Sequence, residues 1–222
     1  MKKFIVSLIC VTAVFSGCAG SNESETKKLT LLAYDSFTPT EGIFDEFTQE
    51  TGISVEVILG GDTGQLISKA ILTSGNPEGD VLWGVDNTFL TRAVNGKVFS
   101  SYTSSQTKNM SDDVVALTQP EGVVTPVDTG DVCINYDIAW FKNNNIAPPM
   151  TLDALTSSTY ANLLVVPSAI TSSPGLAFFL ATVAEFGENG WQDYWKALRQ
   201  NGVLVVDGWT QAYSTEFSGS TG

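Results

Sequence analysis

Five short segments carry side chains able to bind or react, and each follows an apolar, β-branched run. They are Asp35-Ser36-Phe37, Asp86-Asn87, Asp128 with Asp131, Thr171-Ser172-Ser173-Pro174-Gly175, and Asp207-Gly208-Trp209 with Tyr213 one helical turn on. Carboxylates accept hydrogen bonds or balance a cation, and the faces of Trp and Tyr attract a cation by roughly 0.5–2 kcal/mol per contact. Pro174 suits the first position of a helix, which leaves Ser172, Ser173 and free backbone N–H groups ahead of it as an anion site. The same residues have plainer uses. Asp86, Asn87, Ser172 and Ser173 are all good helix caps. Trp83 lies inside an apolar run, and Trp191, Tyr194 and Trp195 recur at helix spacing, as packing residues do.

Catalysis finds little support. The 222 residues contain no histidine, which removes every His-dependent triad and the commonest general base. No Ser-x-x-Lys nucleophile motif is present, the nearest lysine after Ser172 and Ser173 being Lys196. Gly60-Gly61-Asp62-Thr63-Gly64 lacks both the spacing and the lysine of a phosphate-binding loop, and reads as a turn into a helix. No acidic run has metal-loop spacing. Paired carboxylates of the glycosidase kind are not excluded by spacing alone, but no segment suggests them. Lys and Arg total 11 against 24 Asp and Glu, thinly scattered, which argues against a nucleic-acid surface. The residues point to binding without bond-making, with no cofactor and no metal.

The elements that must hold these residues alternate. Leu29–Tyr34, Ile53–Leu59 and Gly79–Val85 read as strands. Helices between and after them carry Ile43, Phe44 and Phe47, then Leu66, Ile67, Ala70 and Ile71, then Phe89, Leu90, Ala93 and Val94 on their inner faces. This order predicts a mostly parallel, helix-covered sheet. Beyond a polar stretch, Val123–Val127 and Val132–Tyr136 read as crossover strands. Thr151 caps a short helix, Leu163–Val166 and Val203–Val206 are strands, and helices open at Pro174 and near Thr210. Apolar residues at 43% suffice for a core. The expected architecture is α/β with two lobes, residues 29–125 and 126–222, and in such sheets ligands bind beyond the carboxyl ends of the strands.

The N-terminus reads as an address. Met1-Lys2-Lys3, the apolar run Phe4–Phe15 and the small pair Ser16-Gly17 form a leader over residues 1–17. The apolar run is too short to span a membrane. Ser16-Gly17 before Cys18 resembles the bacterial lipobox, with Phe15 where leucine is usual; an ordinary secretory leader is the alternative. The lipobox resemblance implies lipidation of Cys18, an anchor in a membrane, loss of Cys10 and a solitary Cys133. Loss of Lys2 and Lys3 with the leader takes the charge from −13 to −15. Residues 18–28 then form the lipidated end and a flexible tether.

Tyr34–Phe37 (YDSF), Gly79–Leu90 (GDVLWGVDNTFL), Pro126–Asp137 (PVDTGDVCINYD), Thr171–Thr182 (TSSPGLAFFLAT) and Asp207–Phe217 (DGWTQAYSTEF) together resemble the thiamine-binding proteins of bacterial ABC importers. These belong to the type II periplasmic-binding-protein fold, together with iron- and polyamine-binding relatives. The resemblance runs from about Leu29 to the last residue. It implies two lobes closing on thiamine or its phosphate esters and delivery to a permease from the periplasm or cell surface, by a monomer. It implies a ligand site made from Asp35, Ser36, Asp86, Asn87, Asp128, Ser172, Ser173, Trp209 and Tyr213. Members of that family run on for about another hundred residues, so the second lobe is expected to be incomplete here. A ferric-iron-binding protein of the same fold and a non-transporting surface lipoprotein are the alternatives.

Overall fold

A computed structural model describes residues 27–116 and 122–218. The leader, Cys18 and the tether up to residue 26 lie outside the described residues. Strand β1 (Lys27–Ala33) begins two residues before the expected Leu29, so Lys27 and Lys28 belong to the sheet and not to the tether. Helix α1 (Asp45–Thr51) ends on Gly52, whose φ of 70° and N–H bond to the Thr48 carbonyl make it the left-handed cap its sequence position predicts. Strand β2 (Ile53–Leu59) follows, then helix α2 (Thr63–Leu72), β3 (Val81–Trp83) and α3 (Leu90–Asn95). The three strands form a parallel sheet in the order β2-β1-β3, with Leu31 opposite both Val57 and Val81.

Parallel sheets are covered by helices because both faces are apolar. Here Ile67 of α2 and Phe89 and Ala93 at α3 form the buried cluster of this lobe, with Leu82, Val85 and Phe99 packed on it. The apolar side expected for α1 is not buried. Ile43 and Phe47 remain exposed, since α1 leans mainly on β2 and no described helix crosses over it.

The short helices α4 (Asp112–Ala116) and α5 (Ile138–Asn143) precede the second sheet. Thr151 Oγ1 accepts the Ala154 N–H at 3.2 Å and caps the turn Asp153–Thr156, as expected. Strand β4 (Val165–Pro167), helices α6 (Ser173–Phe186) and α7 (Trp191–Gln200), and β5 (Leu204–Val206) follow, with β4 and β5 parallel. A π-helix, Gln211–Phe217, ends the described chain. Leu155, Val166, Phe178, Tyr194 and Leu198 make the core. The aromatic residues of α7 do pack: Trp195 Nε1 donates to Thr182 Oγ1 at 2.9 Å, and Phe186 stacks on Tyr194.

The two crossover strands are not formed. Residues 123–127 and 132–136 run as irregular chain, and Val127, Val132, Ile134 and Tyr136 stay exposed. Apolar, β-branched composition makes a strand only where a neighbouring edge supplies ladder partners, and among the described residues neither segment pairs with either sheet.

Burial pushes the Tyr194 phenol up to about 12, and the negative charge of Asp153 adds to this. Its O–H donates to the Leu152 carbonyl at 2.8 Å. The protonated phenol therefore contributes stability that is complete below pH 10, the unfolded value, and is lost as pH rises toward about 12. Tyr194→Phe should cost about 1 kcal/mol at neutral pH and show a shallower loss of stability between pH 10 and 12 than the wild type in denaturant titrations. Equal slopes would mean that Tyr194 does not titrate with unfolding.

Candidate functional site

The carboxyl ends of the strands meet at the start of α2. Strand β2 runs out into Gly60 and Gly61, and Gly61 takes a φ of 84° to turn the chain. The Gly61 carbonyl accepts the Asp35 N–H at 2.9 Å, which holds the loop after β1 against this turn. Thr63 Oγ1 donates to the Gly84 carbonyl at 3.1 Å, which adds the loop after β3. Asp62 caps α2 in a capping box with Gln65.

The same turn reaches the second lobe. The Gly64 N–H donates to the Thr171 carbonyl at 2.8 Å, and the Trp209 N–H donates to Asp62 Oδ2 at 2.8 Å. Thr171 Oγ1 donates in turn to the Asp207 carbonyl at 2.5 Å, so the loops after β4 and β5 are joined to one another as well. Glycine is required at position 64. A Cβ there would stand 2.5 Å from the Ile170 carbonyl oxygen and 2.8 Å from Thr171 backbone atoms. Leu176, on the first turns of α6, packs against the core cluster of the first lobe and completes the junction.

Several predicted site residues gather here. Asp35 lies at the junction with its Oδ1 buried and without a hydrogen-bond partner, and Ser36 is half-buried in the same turn. Ser172 is fully buried and Ser173 nearly so, and neither Oγ has a partner. Ser172 stands at the N-cap of α6 but makes no side-chain cap bond, so the capping role that serine usually plays is not used. Pro174 sits in the first turn of that helix, as expected. Trp209 and Tyr213 stack face to face, with centroids 4.9 Å apart and planes 12° from parallel. Both remain partly open to solvent, at 37% and 40% exposure. Stacking makes them a single two-ring platform.

Other predicted residues have different employment. Asp86 Oδ1 accepts from Thr88 Oγ1 at 2.7 Å and from the Thr88 and Phe89 N–H groups at 3.1 Å, which is the plain capping use. Asn87 is exposed beside it, and Asp128 and Asp131 are exposed on irregular chain. Two residues were missed. Asp62 joins both lobes, and Thr210 carries another buried, unpartnered Oγ1 next to Trp209. The signal for Asp62 was available: it follows β2 just as Asp35 follows β1, and Gln65 three residues on completes a capping box.

Buried polar atoms nearly always have partners, and each one without costs about 1–3 kcal/mol. Among the described residues the partnerless buried side-chain atoms are Asp35 Oδ1, Ser172 Oγ, Ser173 Oγ and Thr210 Oγ1. All four stand just past the ends of β1, β4 and β5.

Comparison with known proteins agrees with this organisation. Residues 76–219 match the family model of the bacterial extracellular solute-binding proteins. The thiamine-binding periplasmic protein of Salmonella typhimurium is 26% identical across 100% of this chain, which spans 64% of that protein. Its counterpart in Brucella abortus is 26% identical over 84% of this chain and 54% of its own length. The chain thus spans between about half and two thirds of these relatives. The periplasmic binding protein AfuA from Actinobacillus pleuropneumoniae, solved with fructose-6-phosphate, superposes with a TM-score of 0.68 at 18% identity, covering 87% of this chain and 61% of that one. That likeness shows the fold: this is the α/β architecture of periplasmic binding proteins, as the sequence implied.

Proposed function

The chain belongs to the bacterial extracellular solute-binding proteins, and on that premise we propose that it binds thiamine or a thiamine phosphate ester at the junction of its lobes, as the extracytoplasmic receptor of an ABC importer. The observation that carries this reading is the gathering of four buried, unpartnered oxygens beside a stacked Trp-Tyr pair. Thiamine has a permanently cationic thiazolium, a hydrogen-bonding aminopyrimidine and a hydroxyethyl or phosphate end. The outer indole face of Trp209 suits the cation. Asp35 suits the aminopyrimidine. Ser172 and Ser173, at the start of the 14-residue helix α6, suit the hydroxyl or phosphate end, where backbone N–H groups and the helix dipole favour an anion. Binding here involves no bond-making. Cys18, if lipidated, tethers the receptor to a membrane beside its permease.

Calorimetric titration with thiamine, thiamine monophosphate and ferric citrate tests the reading. Saturable binding of thiamine or its ester, with no response to ferric citrate, is the expected outcome. A response to ferric citrate alone would favour the iron-binding alternative. Ser172→Ala sharpens the test, because deleting a buried hydroxyl that has no partner should leave the protein as stable or up to about 1 kcal/mol more stable, yet weaken binding of the phosphate ester. A destabilised variant with unchanged affinity would place Ser172 in the scaffold.

A further inference from the structure

The geometry points to Asp62 as a positioning residue that holds the Trp209–Tyr213 platform against the first lobe. Asp62 is buried, at 5% exposure, and its carboxylate works in two directions. Oδ1 accepts the Thr63 N–H at 2.6 Å, and in the capping box of α2 the Gln65 N–H donates to the Asp62 side chain while the Asp62 N–H donates to Gln65 Oε1 at 3.2 Å. Oδ2 accepts the Trp209 N–H of the opposite lobe at 2.8 Å, a bond between residues 147 apart in the chain. A carboxylate accepting a backbone N–H is a charge-assisted bond, shorter and stronger than a neutral one. The approach is close on both sides. A Cβ on Gly208 would come within 3.1 Å of Asp62 Oδ2, and the Gly64–Thr171 backbone bond fixes the separation of the loops nearby.

An ordinary cap satisfies only its own helix. Here the second oxygen fixes the backbone of Trp209, and with it the indole and the Tyr213 ring stacked on it. The platform is thereby anchored to the lobe that carries Asp35, whose own N–H is bonded to Gly61 one residue before Asp62. Asp62 acts through Trp209 and sets where the ring face lies relative to the first-lobe loops. Only the consequence for affinity rests on the thiamine reading; the clamp itself does not.

Asp62→Asn separates the two functions of the carboxylate. The α2 cap retains the single amide oxygen, because that oxygen faces the N–H groups of its own helix. The amide NH2 then takes the place of Oδ2 and opposes the Trp209 N–H, donor against donor. Hydrogen exchange on the ligand-free chain should show the Trp209 amide exchanging at least tenfold faster, with Thr63 and the β1 amides near their wild-type rates and melting little changed. Gly208→Ala, which crowds the clamp from the other side, should shift Trp209 in the same direction by less. A Trp209 rate within twofold of wild type in Asp62→Asn would overturn the proposal, and so would a uniform acceleration of all amides, which marks a purely structural role. Thiamine affinity measured on the same variant should fall together with Trp209 protection. Faster exchange with unchanged affinity would leave the clamp standing but overturn its positioning of the ligand. If the wild type fails to bind thiamine, the exchange result still decides the clamp.

Discussion

Trp209→Ala is expected to weaken thiamine binding at least tenfold, about 1.4 kcal/mol, without unfolding the protein. The indole is 37% exposed and stacks on Tyr213 at the edge of the lobe junction, so its loss removes a cation-attracting face and not a piece of core. The N–H that bonds to Asp62 belongs to the backbone and survives the substitution. Tyr213 is left with a bare face in place of its partner, which preserves part of the attraction and keeps the loss short of complete. Calorimetry with a parallel melting curve checks this: unchanged affinity at unchanged stability would remove Trp209 from the site.

Gly64→Ala is expected to be the most damaging conservative change to the fold at the junction. The new methyl would meet the Ile170 carbonyl oxygen at 2.5 Å and Thr171 backbone at 2.8 Å, and backbone cannot swing aside as a long side chain can. Overpacking of this kind costs about 1–3 kcal/mol. Here it must also lengthen the Gly64–Thr171 hydrogen bond that joins the lobes. Chemical denaturation should show the loss, and small-angle scattering a more open particle. A variant with wild-type stability and dimensions would mean that the lobes do not meet at Gly64 in solution.

Much of this arrangement was legible in the residues. Ile53–Leu59 matches β2 residue for residue, and Leu66, Ile67 and Ala70 are the buried side of α2, because period and burial agree wherever a helix lies on a sheet. Gly52 and Pro174 marked a helix end and a helix start for reasons of backbone geometry that no tertiary contact overrides. Asp35, Ser172, Ser173 and Trp209 are singled out by one rule, that ligands bind past the carboxyl ends of parallel strands, and the structure places all four past the ends of β1, β4 and β5. The same rule also singles out Asp86, whose Oδ1 caps its own turn. Whether an aspartate caps its own turn or faces a ligand depends on which N–H groups come within reach, and for Asp86 these are the backbone N–H groups of Thr88 and Phe89. Asp62 is not singled out in the sequence because Gly60–Gly64 reads there only as a turn into a helix, and its bond to a residue 147 positions away has no local signature. Residues 123–127 and 132–136 had strand composition, but a strand is a property of a pair, and pairing is not written in either segment alone.

The loops past β1, β4 and β5 are proposed to bind one ligand between the lobes. Backbone amide chemical shifts followed by NMR during a thiamine titration test this proposal most directly. Saturable shifts concentrated at Asp35, Ser172, Ser173, Trp209 and Thr210 are expected. Shifts that cluster instead on the outer face of α7, around Trp191, Trp195 and Arg199, or no shift at any residue under saturating thiamine, would contradict it.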